Sequence, residues 1–169
     1  KYLNEQLKNI DINQEGEYDY YSADSTEHMG FEWEAGFGLN NQLSMSANGA
    51  LVMNYFNDGK SLPNVPSTLF NLSLDYQPFK NGLFFIHWRR VGNMYIDREN
   101  TEEGIIDPFS IWDMGLKYRW QGLEVMAKVN NVFDKLYSTY GYGYNWDGYQ
   151  AYYWPGATRN TFINISYQF

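Results

Sequence analysis

Apolar and polar side chains alternate along seven segments of this chain. In the last ten residues, NTFINISYQF, every second side chain from Ile163 to Phe169 is apolar and the intervening ones are polar. Neighbouring side chains of a β-strand point to opposite faces, so this pattern predicts a strand with one apolar and one polar face. Six further segments alternate in the same way: 30–39, 42–54, 68–77, 82–88, 111–120 and 122–130. Since helical spacing fits none of them, the sequence predicts an all-β protein.

Short and long connections between these segments alternate along the chain. The short ones carry turn-forming residues at 40–41, 78–82 and 121–122, and the long ones cover 55–67, 97–108 and 134–159. The strands run about 10 to 13 residues, whereas those of a soluble β-sandwich, the alternative fold, average about 5 to 6. Ten residues tilted near 45° rise about 24 Å, which matches the apolar band of a membrane barrel. The pattern therefore favours antiparallel up-and-down strands of a transmembrane β-barrel, with periplasmic turns and extracellular loops.

The composition agrees with a barrel in a membrane. Aromatic residues make up 20% of the 169 residues, with 16 Tyr and 6 Trp, although the mean hydropathy is only −0.57. A membrane barrel requires such a mixture because half of each strand faces lipid and the other half faces water. The net charge of −8 argues against nucleic acid as a partner. The chain has no cysteine, which excludes disulfides and thiolate metal sites.

Aromatic residues also collect at one end of the strands. The last outward positions before the short turns and the C-terminus are aromatic: Tyr76, Tyr118, Trp120, Tyr167 and Phe169. Such a girdle is typical of a membrane interface. Arg90 departs from the pattern, because it occupies an outward position after Phe84, Ile86 and Trp88. A bulge near residues 88–92, or snorkelling of Arg90 toward the upper headgroups, would each accommodate it.

Three motifs resemble those of one protein family. VNNVFDKLY, followed by a loop and YYWPGATRNTFINISYQF, resembles the C-terminal signature of TonB-dependent outer-membrane receptors. HMGFEWEAGFGLNNQLSMSANGALVMNYF resembles the G-x-E-x-E strand pair of these receptors. LPNVPSTLFNLSLDY resembles their L-P-G-V-P segment, with Asn64 where Gly is usual and Ser67-Thr68 in place of a common Arg/Lys-His. The order and spacing of the motifs extend the resemblance over residues 20–169.

The resemblance implies a plug domain inside a barrel of 22 strands. Residues 1–169 then correspond to the C-terminal portion of that barrel, with seven strands and a possible eighth in residues 1–12, whose alternation is poor. The plug domain and the N-terminal barrel strands would lie outside this chain. The alternative is an intact eight-stranded outer-membrane barrel with a structural or adhesive role, because 169 residues also suit that fold.

The resemblance also implies active transport across the outer membrane of a Gram-negative bacterium. The whole receptor would bind a scarce nutrient, such as a ferric siderophore, and import it when the TonB complex pulls on the plug. The implied partners are outer-membrane lipid and lipopolysaccharide, the remaining barrel strands, the plug, the TonB complex and the small-molecule ligand. By the same resemblance, the terminal strand is the signal that the barrel-assembly machinery reads, here Ile163, Ile165, Tyr167 and Phe169.

Catalytic and metal-binding patterns are missing from the sequence. His28 and His87 are its only histidines, and neither has a second histidine at ligand spacing. No Ser-His-Asp order or nucleophile elbow occurs, so we expect no enzyme, no metal and no cofactor. The polar side chains predicted to face the lumen either pair with one another or with the plug, or simply make the lumen polar: Glu32, Glu34, Asp113, Lys117, Arg119, Glu124 and Lys128.

The connection 137–158 is the candidate ligand-binding site. It combines nine aromatic residues with glycines. Rigid aromatic side chains with polar tips provide contact area at low entropic cost, which suits capture of a siderophore or a sugar ring. The residues predicted to contact the ligand are Tyr140, Tyr142, Tyr144, Trp146, Tyr149 and Trp154. The alternative is that this loop packs on its neighbours or on lipopolysaccharide.

Other connections are acidic. Their carboxylates are expected to be solvated, with bridging to lipopolysaccharide by divalent cations as the alternative. These residues are Glu15, Glu17, Asp19, Asp24, Glu99, Glu102, Glu103 and Asp107.

Overall fold

The computed structural model describes residues 8–12, 18–22 and 25–169, and these residues form β-strands and their connections. In chain order the strands are β1 Lys8–Ile12, β2 Tyr18–Ser22, β3 Thr26–Gly38, β4 Leu43–Phe56, β5 Thr68–Phe79, β6 Gly82–Val91, β7 Met94–Tyr95, β8 Ile105–Ile106, β9 Phe109–Trp120, β10 Leu123–Asn130, β11 Ser138–Asn145, β12 Tyr149–Pro155 and β13 Asn160–Tyr167. A single 3-10 turn covers Glu102–Gly104. No helix of the described residues has the length and apolar character that a membrane crossing requires.

Seven of these strands form one antiparallel sheet, which we call the wall sheet. Its order is β13-β10-β9-β6-β5-β4-β3. Strands that follow one another along the wall are joined by hairpins or longer connections and pair side by side, which gives an up-and-down meander. This confirms the predicted all-β class and the antiparallel strands.

The possible eighth strand in residues 1–12 does not join the wall sheet in its described part, Lys8–Ile12. Residues Lys8–Ile12 instead pair with Tyr18–Ser22 in a separate two-stranded sheet. The poor alternation of this segment leaves the register of a pairing with β3 weakly specified, which favours a partner close in sequence. Residues 1–7 lie outside the described part of the chain, as do Glu15, Glu17 and Asp24, and Asp19 lies in β2.

The pairing register sorts apolar and polar side chains onto opposite faces of the wall sheet. Met114 lies opposite Ile86 on one neighbouring strand and Val129 on the other, and Leu116 lies opposite Phe84 and Ala127. We call the face that carries these side chains the outward face. The side chains predicted to face outward on β9 all occupy it and are exposed: Trp112, Met114, Leu116, Tyr118 and Trp120.

The opposite, inward face carries ion pairs. Lys128 Nζ lies 3.0 Å from Asp113 Oδ2, and Glu124 contacts both Lys117, at 2.8 Å, and Arg119, at 2.6 Å. Five of the seven polar residues predicted to face the lumen therefore pair with one another. Across strands, opposite charges on one face stabilise the sheet modestly, by about 0.2–1 kcal/mol per pair.

Local chemistry explains the short turns. Gln121 and Gly122 adopt φ of 45° and 83°, the left-handed conformations that a two-residue hairpin between twisted strands requires. In the first turn, the backbone N–H groups of Gln42 and Leu43 donate to Asn40 Oδ1, at 2.8 and 2.9 Å. The side chain of Asn40 thereby supplies the acceptor that closes this turn.

Arg90 lies on the outward face without a bulge. The register of β6 continues through it, with Phe70 opposite on β5 and Ser110 opposite on β9. The register therefore excludes the bulge near residues 88–92, one of the two explanations left open by the sequence, and the irregularity of this strand pair lies between Tyr76 and Phe79. Arg90 sits one residue before the end of β6, at the long-loop end of the wall, where Nη1 donates to Ser110 Oγ at 3.5 Å. Its position leaves the snorkelling interpretation in place.

Two of the three long connections contain strands of their own. The connection 92–108 holds the short pair β7–β8, and the connection 131–159 holds the hairpin β11–β12. Both connections were predicted from the sequence to be loops. Residues 138–145 alternate as a strand does, but tyrosines and glycines also suit a flexible loop. The segment is a strand because it pairs with β12 across the turn.

Candidate ligand-binding site

The hairpin β11–β12 forms because its sequence alternates rings and glycines around a turn. Tyr140, Tyr142 and Tyr144 alternate with Gly141 and Gly143. The chain reverses at 146–148, where Gly148 adopts φ of 88°. Tyr140 then lies opposite Trp154, Tyr142 opposite Tyr152 and Tyr144 opposite Gln150. Residues that lie opposite each other in an antiparallel pair point to the same face.

One face of this hairpin is an aromatic surface, which we call the aromatic face. The rings of Tyr142 and Tyr152 stack with centroids 5.1 Å apart and planes 10° from parallel. Tyr144 and Tyr152 stack at 5.9 Å and 8°. Tyr140 meets Trp154 edge to face at 5.2 Å. The face therefore consists of five rings in mutual contact, all exposed on one side: Tyr140, Tyr142, Tyr144, Tyr152 and Trp154.

Two phenol hydroxyls of this face converge on one amide. Tyr144 Oη donates to Gln150 Oε1 at 3.0 Å, and Tyr152 Oη donates to the same oxygen at 3.1 Å. The hydrogen bond with Tyr152, followed by partial burial, raises the pKa of Tyr144 above its ordinary value. The Tyr144 hydroxyl therefore stays neutral at physiological pH, and the aromatic face carries no charged side chain among the residues named above.

The other face of the hairpin is its attachment. Gly141 and Gly143 leave room for neighbours, since a Cβ on Gly141 would come within 2.7 Å of Ile96 Cγ2 and one on Gly143 would clash with Tyr149 Oη. Tyr149 Oη donates to Asp97 Oδ2 at 2.5 Å, and Tyr153 Oη donates to the carbonyl oxygen of Glu103 at 2.9 Å. Burial, followed by the hydrogen bond to Asp97, raises the pKa of Tyr149. The hairpin is thus bound to the connection 92–108 through this face.

The attachment continues onto the inward face of the wall sheet. A buried apolar cluster joins Val91, Phe109 and Ile111, which belong to that face, to Met94, Ile96 and Ile106 of the connection 92–108. Tyr137 and Ala151 of the hairpin region pack against the same cluster. The two long connections therefore cover the inward face at the long-loop end of the wall, above the ion pairs.

Residues of the motif VNNVFD form hydrogen bonds with both ends of the connection 131–159, which carries the hairpin. Asn131 is buried, adopts φ of 50°, and donates through Nδ2 to the carbonyl oxygens of Lys135, at 2.9 Å, and Ala157, at 3.1 Å. Asp113 Oδ1 accepts from the backbone N–H of Asn131 at 2.9 Å. Asp134 Oδ1 accepts from the backbone N–H of Arg159 at 2.8 Å. Residues 131–134 thereby hold the start and the end of the 29-residue connection 131–159 close together, next to Asp113 of the wall sheet.

The structure brings together four of the six residues predicted as ligand contacts. Tyr140, Tyr142, Tyr144 and Trp154 share the aromatic face. Trp146 stands at the tip of the hairpin, 76% exposed, and Tyr149 belongs to the attachment face. Sequence reasoning omitted Tyr152 and Gln150, although their position opposite Tyr142 and Tyr144 follows once the chain between 138 and 155 is recognised as a hairpin.

Neighbouring features of the loop end complete the description. A cleft of about 470 Å³ lies beside the hairpin, between residues 105–109 and 135–138, and it is not bounded by the aromatic face. Among the described residues, no group of three His, Asp or Glu side chains gathers at metal-binding distance. His87 stacks on Phe85 at 5.0 Å. Glu99, Glu102, Glu103 and Asp107 are exposed, as expected, and Glu99 forms an ion pair with Lys60.

Comparison with known proteins gives one family and several solved structures. Residues 2–132 match the family model described as TonB dependent receptor-like, beta-barrel. The ferric yersiniabactin uptake receptor FyuA from Yersinia pestis is 22% identical with a TM-score of 0.75, over 89% of this chain and 25% of that one. The copper transporter OprC is 17% identical with a TM-score of 0.74, over 97% and 27%. The unliganded ferric citrate transporter FecA is 24% identical with a TM-score of 0.72, over 85% and 24%.

These similarities concern the fold, because all three identities lie below 25%. The chain spans about a quarter of the length of each of these solved structures, as the 25%, 27% and 24% shares show. No curated protein matches the sequence.

Proposed function

This chain belongs to the TonB-dependent receptors through their β-barrel, and from that membership we propose that it forms the C-terminal wall and loops of a nutrient importer. The family consists of receptors and transporters rather than enzymes, and its members reside in the outer membrane of Gram-negative bacteria, which is where this chain belongs. In our proposal residues 1–169 are the C-terminal portion of the barrel domain, and a plug domain and further strands complete the receptor. Both edges of the wall sheet, β3 and β13, have one strand neighbour each within the described residues, which supports this arrangement.

The proposed cargo is a scarce nutrient such as a ferric siderophore. Two of the three similar structures are named for iron chelates, ferric yersiniabactin and ferric citrate, and the third is named for copper. In the proposed cycle the ligand binds outside, and the TonB complex releases it by pulling on the plug. The barrel-assembly machinery reads Ile163, Ile165, Tyr167 and Phe169, which occupy the outward face of the edge strand β13 and the residues after it.

The aromatic face is the observation that supports ligand capture by this part of the receptor. Its rings are ordered by stacking and by attachment of the opposite face, so they present contact area without a large entropic cost. They stand on a hairpin that packs over the inward face of the wall, so they lie at the side from which a ligand would approach a plug. With neutral rings, a pair of hydroxyls and an amide, contact would rest on stacking and hydrogen bonding, which suits a ring-bearing ligand of low charge.

Single alanine substitutions in the full receptor test this proposal. Tyr142→Ala, Tyr144→Ala, Trp146→Ala and Trp154→Ala would be assayed for uptake and affinity with a neutral ferric trihydroxamate, a ferric catecholate and ferric citrate. A base that stacks on an aromatic ring gains about 1–3 kcal/mol, so loss of a true stacking partner should weaken binding roughly 5- to 150-fold. Tyr153→Phe is the matched control, because Tyr153 lies on the attachment face.

The variants also separate binding from folding. The aromatic face is exposed, so the barrel's stability should change little in these four variants. If all four bind and import the parent's ligand as well as the parent does, the hairpin only packs on its neighbours and the proposed contact is wrong.

A further inference from the structure

The side-chain amide of Asn64 forms two hydrogen bonds with the backbone of the hairpin β11–β12, 77 positions away in the sequence. We call such a pair of hydrogen bonds a grip. Its side-chain Nδ2 donates to the carbonyl oxygen of Gly141 at 2.9 Å, and the backbone N–H of Gly141 donates back to Asn64 Oδ1 at 3.0 Å. The backbone N–H of Asn64 donates to the carbonyl oxygen of Tyr95 at 2.7 Å. One residue of the connection 57–67 therefore contacts both of the other long connections.

The position requires both the conformation and the amide of asparagine. Asn64 has φ of 58°, a left-handed conformation that Asn and Gly tolerate better than other residues. Glycine, which is usual at this point of the motif, would supply the conformation without any side-chain hydrogen bond. The amide pairs with Gly141 as a neighbouring strand would, on the edge of β11 that β12 leaves free.

Gly141 is the point at which this grip has most effect on the aromatic face. It lies between Tyr140 and Tyr142, whose rings leave the strand on the opposite side. A Cβ added to Gly141 would come within 2.7 Å of Ile96 Cγ2 and 2.8 Å of the carbonyl oxygen of Tyr152, so this residue packs closely between them. If β11 slid along β12, the stacked rings of Tyr142 and Tyr152 would separate and the two hydrogen bonds to Asn64 would break.

We propose that Asn64 is a positioning residue that holds the aromatic face in its stacked arrangement before ligand arrives. This role rests on the proposed function, since it matters for transport only if the aromatic face contacts the ligand. Pre-organisation of a binding surface raises affinity because the ordering cost is met before binding. Asn64 would then tune affinity without touching the ligand.

Asn100 provides a matched control within the same loop assembly. It also has a left-handed backbone, with φ of 54°, and it grips Ser61 with the same two hydrogen bonds, at 2.7 and 2.9 Å. Asn64→Gly and Asn100→Gly therefore each keep the backbone conformation and remove one such pair of hydrogen bonds; Asn100→Gly also removes a hydrogen bond of 3.3 Å from Nδ2 to the carbonyl oxygen of Asp97. Only the first of them touches the hairpin.

Amide hydrogen exchange on the full receptor tests the grip without any ligand. In Asn64→Gly the Gly141 amide should exchange roughly tenfold to hundredfold faster, as expected from loss of two neutral hydrogen bonds. Asn100→Gly should accelerate the Ser61 amide and leave Gly141 near the parent rate. Asn64→Asp, which can accept from the Gly141 N–H but cannot donate to its carbonyl, should give an intermediate rate. An unchanged Gly141 rate in both Asn64 variants would overturn the proposal.

Binding measurements then test positioning separately from the proposed function. The probe is whichever of the three ferric chelates named above the parent receptor binds most tightly. If the stacked arrangement falls to between a tenth and a third of the population in Asn64→Gly, affinity should drop about three- to tenfold while the unfolding midpoint of the barrel stays unchanged. If Tyr142→Ala weakens binding but Asn64→Gly binds as the parent does, Asn64 is not a positioning residue and the proposed function stands. If Gly141 exchanges faster in Asn64→Gly but every aromatic variant binds as the parent does, the hydrogen bonds from Asn64 hold the hairpin and the proposed function is wrong.

Discussion

The hairpins β9–β10 and β11–β12 use the same alternation of side chains for opposite purposes. Both put large apolar or aromatic residues at every second position around a tight turn. The first hairpin has a strand neighbour on each side, β6 and β13, so its backbone is paired along both edges. The second pairs only within itself among the described residues, and its free edge meets the side chain of Asn64.

The two hairpins differ most in what their apolar faces contact. The outward face of β9–β10 continues sideways into Ile86, Phe84 and the rest of the wall, which makes a broad surface suited to lipid. The aromatic face of β11–β12 contacts mainly its own rings and ends in hydroxyls and an amide. The same alternation is therefore compatible with a strand in both places, but the neighbours decide whether its apolar face meets lipid or water.

A charged residue should separate the two hairpins most strongly. Met114→Arg places a cation at the middle of the outward face of β9, where we expect a loss of about 2–4 kcal/mol in the free energy of unfolding from vesicles. Tyr142→Arg makes a comparable change on the aromatic face and should cost far less, because that face is exposed to water. Equal losses in denaturant titrations of the two variants would show that both faces share one environment.

The end of the wall gives a second contrast, which concerns assembly in cells. If Phe169 is read by the assembly machinery, Phe169→Asp should lower the membrane-inserted receptor several-fold while synthesis continues. Trp146→Asp changes an aromatic residue that is also highly exposed, but on the hairpin tip, and insertion should stay at the parental level. Quantifying inserted and total receptor by fractionation checks both variants. Normal insertion of Phe169→Asp would remove the proposed signal.

The smallest expected effect lies in the attachment of the hairpin. Tyr149→Phe removes the hydrogen bond to Asp97 and should lower the local stability of the hairpin by about 1 kcal/mol, seen as faster amide exchange in 149–155. The pKa of Tyr149 is raised in the folded protein above its ordinary 10.0. The stabilising contribution is therefore complete below pH 10 and decreases as pH rises above it, because the unfolded chain can then ionise more readily. Tyr149→Phe should remove this part of the alkaline sensitivity. Parental exchange and an unchanged alkaline profile would show that Tyr149 does not anchor the hairpin.

Most of the wall follows from the sequence because alternation, turn residues and connection lengths all agree. The segments 111–120 and 122–130 contain long alternating runs joined by Gln121-Gly122, which fixes their register without help from the rest of the chain. The segment 1–12 shows the limit of this reasoning. Its weak alternation left open whether it joins the wall, and its described part, Lys8–Ile12, pairs with β2 instead.

The candidate site was predicted in its residues but not in its geometry. Nine aromatic residues in one connection pointed to a contact surface. The division between Tyr142, on the aromatic face, and Tyr149, on the attachment face, depends on where the hairpin turns, which the repeated Tyr and Gly residues of 140–149 leave ambiguous. Arg90 is a similar case, because composition alone does not tell a bulge from a regular position near a strand end.

The sequence by itself determined the strands of the wall sheet, their two faces and the short turns, because these depend on side-chain period and on neighbours within a few residues. Tertiary structure alone decided how the long connections meet. The pairing of Asn64 with Gly141 and of Asn100 with Ser61 joins residues 77 and 39 positions apart. Such contacts depend on the wall, because the pairing of the strands offsets the entropy of closing these long loops. A left-handed asparagine in a polar loop predicts a turn, and only its distant partner shows that it also holds the aromatic hairpin.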